Sequence, residues 1–193
     1  MRTAIQRVES QTSAEIVVTV RRQAATSYRD AELIFGAIVA FASLSLLLFV
    51  DKEFATTWIP VDVAVSFAIG AFLCRHTMFL RRLLTSGSRR QAETRRTAGA
   101  AFHELGVGRT SGRNGILVLV ALFEHKVAVV SDVGIDPAWI DGPVKALESS
   151  VGRAVPDFDA FIAALDSFGP ALAQKMPRRE DDVNELPDDV GVQ

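Results

Sequence analysis

The dominant pattern along the chain is a long break in the alternation of polar and apolar residues. Leu33 to Val50 (LIFGAIVAFASLSLLLFV) runs eighteen residues without a charge. As a helix it would extend about 27 Å, close to the hydrocarbon thickness of a bilayer. A charged, turn-like interval follows (DKEFATTWIPVD). A second apolar run comes next, Val63 to Cys74, extended by His76 to Leu80 with Arg75 as its one firm charge. Neither run has a polar stripe, and a helix that is apolar all round must be buried on every side. We read residues 31–80 as a transmembrane helical hairpin with spans at about 33–50 and 63–80.

Outside this stretch the pattern is that of a soluble α/β domain. Ile5 and Val8, one turn apart, predict a short amphipathic helix over residues 2–12. Ala14 to Val20 (AEIVVTV) is β-branched and apolar, as in a strand covered on both faces. Ser27, with Asp30 three residues on, is the candidate N-cap of a helix running into the first span. After Ser86-Gly87-Ser88 a basic helix is expected over 89–105, with Gly106 as its C-cap. Gly115 to Phe123 and Lys126 to Val133 read as two strands in a tight hairpin interrupted at Glu124-His125. A turn-rich loop over 134–142 leads to a helix from Pro143 to Val151. Asp157 caps a last helix whose face carries Phe158, Phe161, Ile162, Leu165, Phe168 and Leu172. The pieces are thus residues 1–30, 31–80, 81–176 and an acidic tail, 177–193, which is expected to be disordered.

Composition changes this picture little. The chain is 49% hydrophobic and 23% charged, with a net charge of −2. That balance implies neither a nucleic-acid partner nor an acidic substrate. The single cysteine, Cys74, rules out an internal disulfide or a cysteine zinc site. No apolar core follows Arg2, so the first span is expected to act as an uncleaved internal signal. Arg21, Arg22 and Arg29 precede the hairpin, and Arg75, Arg81, Arg82, Arg89, Arg90, Arg95 and Arg96 follow the second run; the connecting loop has only Lys52. The positive-inside rule then sets both termini in the cytoplasm of a multi-pass inner (plasma) membrane protein.

Candidate chemistry is sparse. Asp132, Asp136 and Asp141 could gather as oxygen ligands for Ca2+ or another divalent cation, although calcium wants six to eight oxygens; the competing role is capping a turn and a helix start. His103-Glu104 lacks the second histidine of a zinc protease helix, since position 107 is Val107. The loop GVGRTSGRNG precedes a strand, whereas phosphate-cradling loops follow one. Arg81, Arg82, Arg89, Arg90, Arg95 and Arg96 either grip anionic lipid head groups or only fix topology. No aromatic residues interleave with them, which argues against nucleic acid.

Three segments, TSAEIVV (12–18), RNGILVLVALFEHKVAVVSDVGI (113–135) and DFDAFIAAL (157–165), resemble the TPM domain. That family includes thylakoid proteins of photosystem II repair and many bacterial membrane proteins, some with a membrane hairpin interrupting the domain. The resemblance implies a compact α/β sandwich, a mixed sheet of about four strands with helices on both faces. It also brings proposals of phosphatase activity, calcium binding and roles as membrane-complex accessory factors. In many members the corner after the paired strands reads Gly-Tyr-Gly-Leu-Glu; here it is Asp132-Val133-Gly134-Ile135-Asp136, without the tyrosine or the glutamate. Two functions are open: a non-enzymatic accessory or scaffold factor bound to a membrane-protein partner, or a membrane-tethered, metal-dependent phosphatase-like hydrolase.

Overall fold

A computed structural model describes residues 1–25, 28–49, 56–153, 155–178, 184–186 and 191–192. The expected cap at Ser27 and the interval 51–55 lie outside the described residues. The chain forms two compact units, Met1–Ala25 with Arg90–Gln193, and Thr26–Arg89.

The first unit is an α/β domain. Strands β1 (Glu15–Arg21), β2 (Gly115–Ala121) and β3 (Lys126–Ser131) make a mixed sheet, with β1 parallel to β2 and β3 antiparallel to β2. Alternate side chains along each strand feed two cores. Ile16, Val18, Ile116, Val118 and Val127 join α1 (Arg2–Glu9), α6 (Pro137–Val151), α7 (Phe158–Asp166) and α8 (Phe168–Ala173) on one face. Val17, Leu117, Leu119 and Ala128 meet Ala98, Ala101 and Phe102 of α5 (Gly87–Glu104) on the other. Helices on both faces explain why the strands lack a polar side. Gly106 ends α5 in the left-handed conformation, φ +68°, which a residue without Cβ adopts freely.

Element boundaries differ from the sequence reading at several points. Helix α1 stops at Glu9. Helix α6 starts at Pro137 and carries Pro143 inside it, because Asp136-Pro137 is already a cap followed by a proline at the first helical position. Ser167 divides the last helix into α7 and α8. The tail, expected to be disordered, has described residues laid beside β1: Gly191–Val192 form β4, parallel to Thr19–Val20. An unpaired strand edge overrides the tail's polar composition there.

The second unit is the helical hairpin. Helix α2 (Arg29–Phe49) and α3 (Ile59–His76) are long and apolar enough to cross a membrane, with mean hydropathy 2.2 and 1.4. Helix α3 begins four residues before the predicted 63, because Pro60 and Asp62 suit a first helical turn. It breaks at Thr77 (φ −110°, ψ 101°), and α4 (Met78–Leu84) continues separately. The helices meet on small residues. A Cβ on Gly70 would lie 2.8 Å from Val39 Cβ and 3.1 Å from Gly36 Cα, and one on Gly36 would lie 2.9 Å from the Phe67 carbonyl oxygen. Such close backbone approach is how helices pack without a hydrophobic drive between them. Ser43 Oγ also donates to Asp62 Oδ2 at 2.9 Å. The remaining surface is apolar: only 11% of each apolar window is buried, with Phe41 73% and Phe49 87% exposed.

Candidate functional site

The acidic corner is the first place to look for chemistry, and it separates into three unrelated roles. Asp132, just past β3, is buried; its Oδ1 accepts from the Val133 amide at 2.7 Å and pairs with Arg113 at 3.1 Å. Asp136 caps α6, its Oδ1 accepting from the Ala138 amide at 2.9 Å. Asp141 lies on the exposed side of α6, 2.6 Å from Lys145 Nζ one turn on, and that contact raises the lysine's pKa. Asp132 Oδ2 is buried without a hydrogen-bond partner, the one feature that would welcome a cation. Yet among the described residues no three histidine, cysteine or acidic side chains come together as a metal-holding group. The predicted set of Asp132, Asp136 and Asp141 therefore does not fit Ca2+ or another divalent cation: a cap and a lysine pair have taken two of its members. Ser131, the nearby hydroxyl, sits in the sheet ladder opposite Ile116.

The basic stretch also divides. Within the hairpin unit, the Arg81 guanidinium lies 5.7 Å from the Tyr28 ring centroid, and Arg89 pairs with Asp30. Tyr28, Asp30 and Arg89 line a cavity of about 160 Å³ together with Thr85 and Ser86. Arg82 is half-buried and Arg75 exposed. Within the α/β unit, Arg90 donates to the Glu124 carbonyl at 3.1 Å, Arg96 pairs with Glu93 at 3.4 Å, and Arg95 is exposed. Some of these arginines thus hold the fold, while others present charge to the surroundings.

Two buried glutamates escaped the sequence reading. Glu124, in the β2–β3 turn, is fully buried, and its Oε1 accepts from the amides of Ala24 and Ala25 at 3.0 and 3.4 Å. Thr97 Oγ donates to the Ala24 carbonyl at 2.9 Å. The segment that follows β1 is thereby gripped by side chain and helix together. An acid in the middle of an otherwise apolar hairpin was the available signal. Glu15, at the start of β1, is buried and accepts from the amides of Glu185 and Leu186, each at 3.3 Å. Glu185 in turn accepts from the Ser111 amide at 3.0 Å and hydroxyl at 2.5 Å, and these bonds hold its carboxyl below its ordinary pKa. Leu186 packs against the α5-side core. No local pattern announces these contacts, because the partners lie far apart in sequence.

Of the histidines, His76 stacks at a tilt on Phe72, His103 lies edge-on to Phe102, and His125 takes a left-handed turn with Nδ1 2.9 Å from the Arg153 carbonyl.

No protein-family model matches the chain, and no curated protein sequence does. Among solved structures it is similar to the NMR structure of the BA42 protein from the psychrophilic bacterium Bizionia argentinensis sp. nov., at 17% identity and TM-score 0.56. The alignment covers 100% of this chain and 89% of that one. At that identity the likeness concerns the fold alone.

Proposed function

We propose that the chain is a bacterial integral membrane protein whose TPM-like α/β domain acts as a non-enzymatic accessory or scaffold factor for a membrane complex. In this reading α2 and α3 span the inner membrane as a hairpin, and both termini are cytoplasmic. One observation carries it: the hairpin buries a narrow seam of small residues and turns its large apolar side chains outward, with 11% of each window buried. A core helix of a soluble protein would be mostly buried, so this surface calls for lipid. Arginine asymmetry sets the orientation, and the exposed Arg75 and Arg95 supply charge for anionic head groups at about 1 kcal/mol each near the surface. The hydrolase alternative has only Asp132 Oδ2 in its favour, since its carboxylates serve a cap and two charge pairs.

The test is membrane extraction followed by topology mapping. The protein should stay in the membrane pellet through alkaline carbonate and dissolve in detergent. A fluorescent protein fused after Gln193 should fluoresce, and alkaline phosphatase inserted at Lys52 should be active. Release by carbonate would end the membrane reading; the opposite reporter pattern would invert the topology.

A further inference from the structure

The cavity of about 160 Å³ at the start of α2 lies wholly within the hairpin unit, and its lining changes character along the helix. Asp30, Ser86 and Arg89 supply the polar part, Ile34 and Leu84 the apolar part. Asp30 and Ile34 stand one turn apart on the same face of α2, so the lining passes from charged to apolar in the direction of the span. Past the cavity that face continues through Ile38, Phe41 and Leu48, all exposed. From Ile34 to Leu48 the stripe runs about 21 Å, longer than one leaflet's hydrocarbon depth of about 15 Å. We propose that the cavity binds a single zwitterionic phospholipid, its ammonium on Asp30, its phosphate on Arg89, and an acyl chain along the stripe of Ile34, Ile38, Phe41 and Leu48.

The charges select the head group. Arg89 and Asp30 pair with each other, with side chains 41% and 61% exposed. So accessible a pair contributes little by itself and opens at little cost. A zwitterionic head group replaces that one contact with two charge-assisted ones. An anionic head group also reaches Arg89 but sets its negative charge beside the Asp30 carboxylate. Ser86 Oγ accepts from the Arg89 amide at 3.3 Å, which holds Arg89 in the first turn of α5, where the helix dipole favours a phosphate. Helix α4, which contributes Leu84, exposes Met78, Phe79 and Leu83, an apolar rim suited to hydrocarbon. The site presupposes the membrane reading, for which it names the lipid.

The test is native mass spectrometry of the full chain in detergent micelles, titrated with dioleoyl phosphatidylethanolamine or dioleoyl phosphatidylglycerol. Phosphatidylethanolamine should form a one-to-one adduct at about tenfold lower concentration than phosphatidylglycerol. Asp30→Asn should erase that preference, whereas Arg89→Gln should weaken both lipids about tenfold. A purely structural pair would alter both lipids alike in both variants. Ile34→Trp fills the cavity from its exposed wall, leaves both charges in place and should remove the adduct. It decides the matter even if a charge variant loosens the hairpin. Glycerophosphoethanolamine, the head group without chains, should bind at least about tenfold more weakly, because it forfeits the apolar stripe. Equal binding of the two lipids, a preference kept by Asp30→Asn, or an adduct kept by Ile34→Trp would overturn the proposal. So would equal binding of glycerophosphoethanolamine, which would give the cavity to a soluble ligand. None of these outcomes alters the carbonate and reporter results, so failure here is separable from failure of the membrane reading.

Discussion

Replacing Gly70 with alanine forces a Cβ to within 2.8 Å of Val39 Cβ, 2.9 Å of Val39 Cγ2 and 3.1 Å of Gly36 Cα, where ordinary contact begins near 3.4 Å. Val39 Cβ is fixed to its backbone, so no rotamer relieves the overlap and the two helices must part. Overpacking of this kind costs about 1–3 kcal/mol, while alanine returns about 0.5–1 kcal/mol of helix preference over glycine. Taken at the middle of both ranges, the net loss is about 1.3 kcal/mol, or about 8-fold in the closed-to-open ratio of the hairpin. The chain carries its own reporter of that ratio. Cys74, its single cysteine, is fully buried at the same seam with Sγ 3.5 Å from the Ala31 carbonyl. Maleimide labelling of Cys74 in lipid micelles, followed by intact mass, should therefore run about 8-fold faster in Gly70→Ala than in wild type. Gly99→Ala on α5, where a Cβ meets nothing within 4 Å, is the control and should leave the rate unchanged. Adding Gly36→Ala should raise the Gly70→Ala rate by less than the two single effects multiplied, since one separation relieves both contacts. A Gly70→Ala rate within about twofold of wild type would refute the tight seam, and with it the packing on which the hairpin rests.

Asp136→Ala should cost about 1 kcal/mol through loss of the α6 cap, and thermal melts should show the same loss in chelator and in calcium; a calcium-dependent difference would restore the metal reading. Glu124→Ala leaves the amides of Ala24 and Ala25 without their buried acceptor and should destabilise the α/β unit by about 1–3 kcal/mol in denaturant titration. The folded state raises the Lys145 pKa above its ordinary 10.5, chiefly through its bond to Asp141. The stability this pair supplies is fully present below pH 10.5 and is lost as pH rises through the raised value. Asp141→Asn should flatten that alkaline limb in melts between pH 9 and 12, and an unchanged limb would place its cause elsewhere.

Much of the fold was legible because its signals are local. The strands 15–21, 115–121 and 126–131 are apolar on both sides, which foretold helices on both faces. Asp157 caps α7 as its position before the Phe-rich face implied, with Oδ1 accepting from the Ala160 amide. What escaped was set by less audible cues. Asp62 looks like loop because it is charged, yet in the first turn of α3 it faces the positive end of the helix dipole. Pro143 looks like a helix start until Asp136-Pro137 is seen to supply the stronger one. Thr77 ends a helix without any glycine or proline, whereas Ser167 stands just before Gly169-Pro170, whose proline has no amide to continue the ladder. The acidic corner was legible as residues but not as roles, since only side-chain partners separate a cap from a ligand. Glu15 and Glu185 are further still from sequence, joined across the length of the domain by backbone amides.

The parallel pairing of β1 with β2 has a consequence for the order of folding. It joins Glu15 to Gly115, partners 100 positions apart, and both membrane-length helices lie between them in the chain. During synthesis β1 must wait for β2 until the whole hairpin has emerged. The hairpin shortens the wait in another sense, because Asp30 and Arg89, near its two ends, pair with each other. Once that pair closes, the loop joining β1 to β2 has an effective length of about 40 residues, which lowers its closure entropy by about 0.8 kcal/mol. The helical hairpin thus forms first, and the central strands of the domain meet only after it.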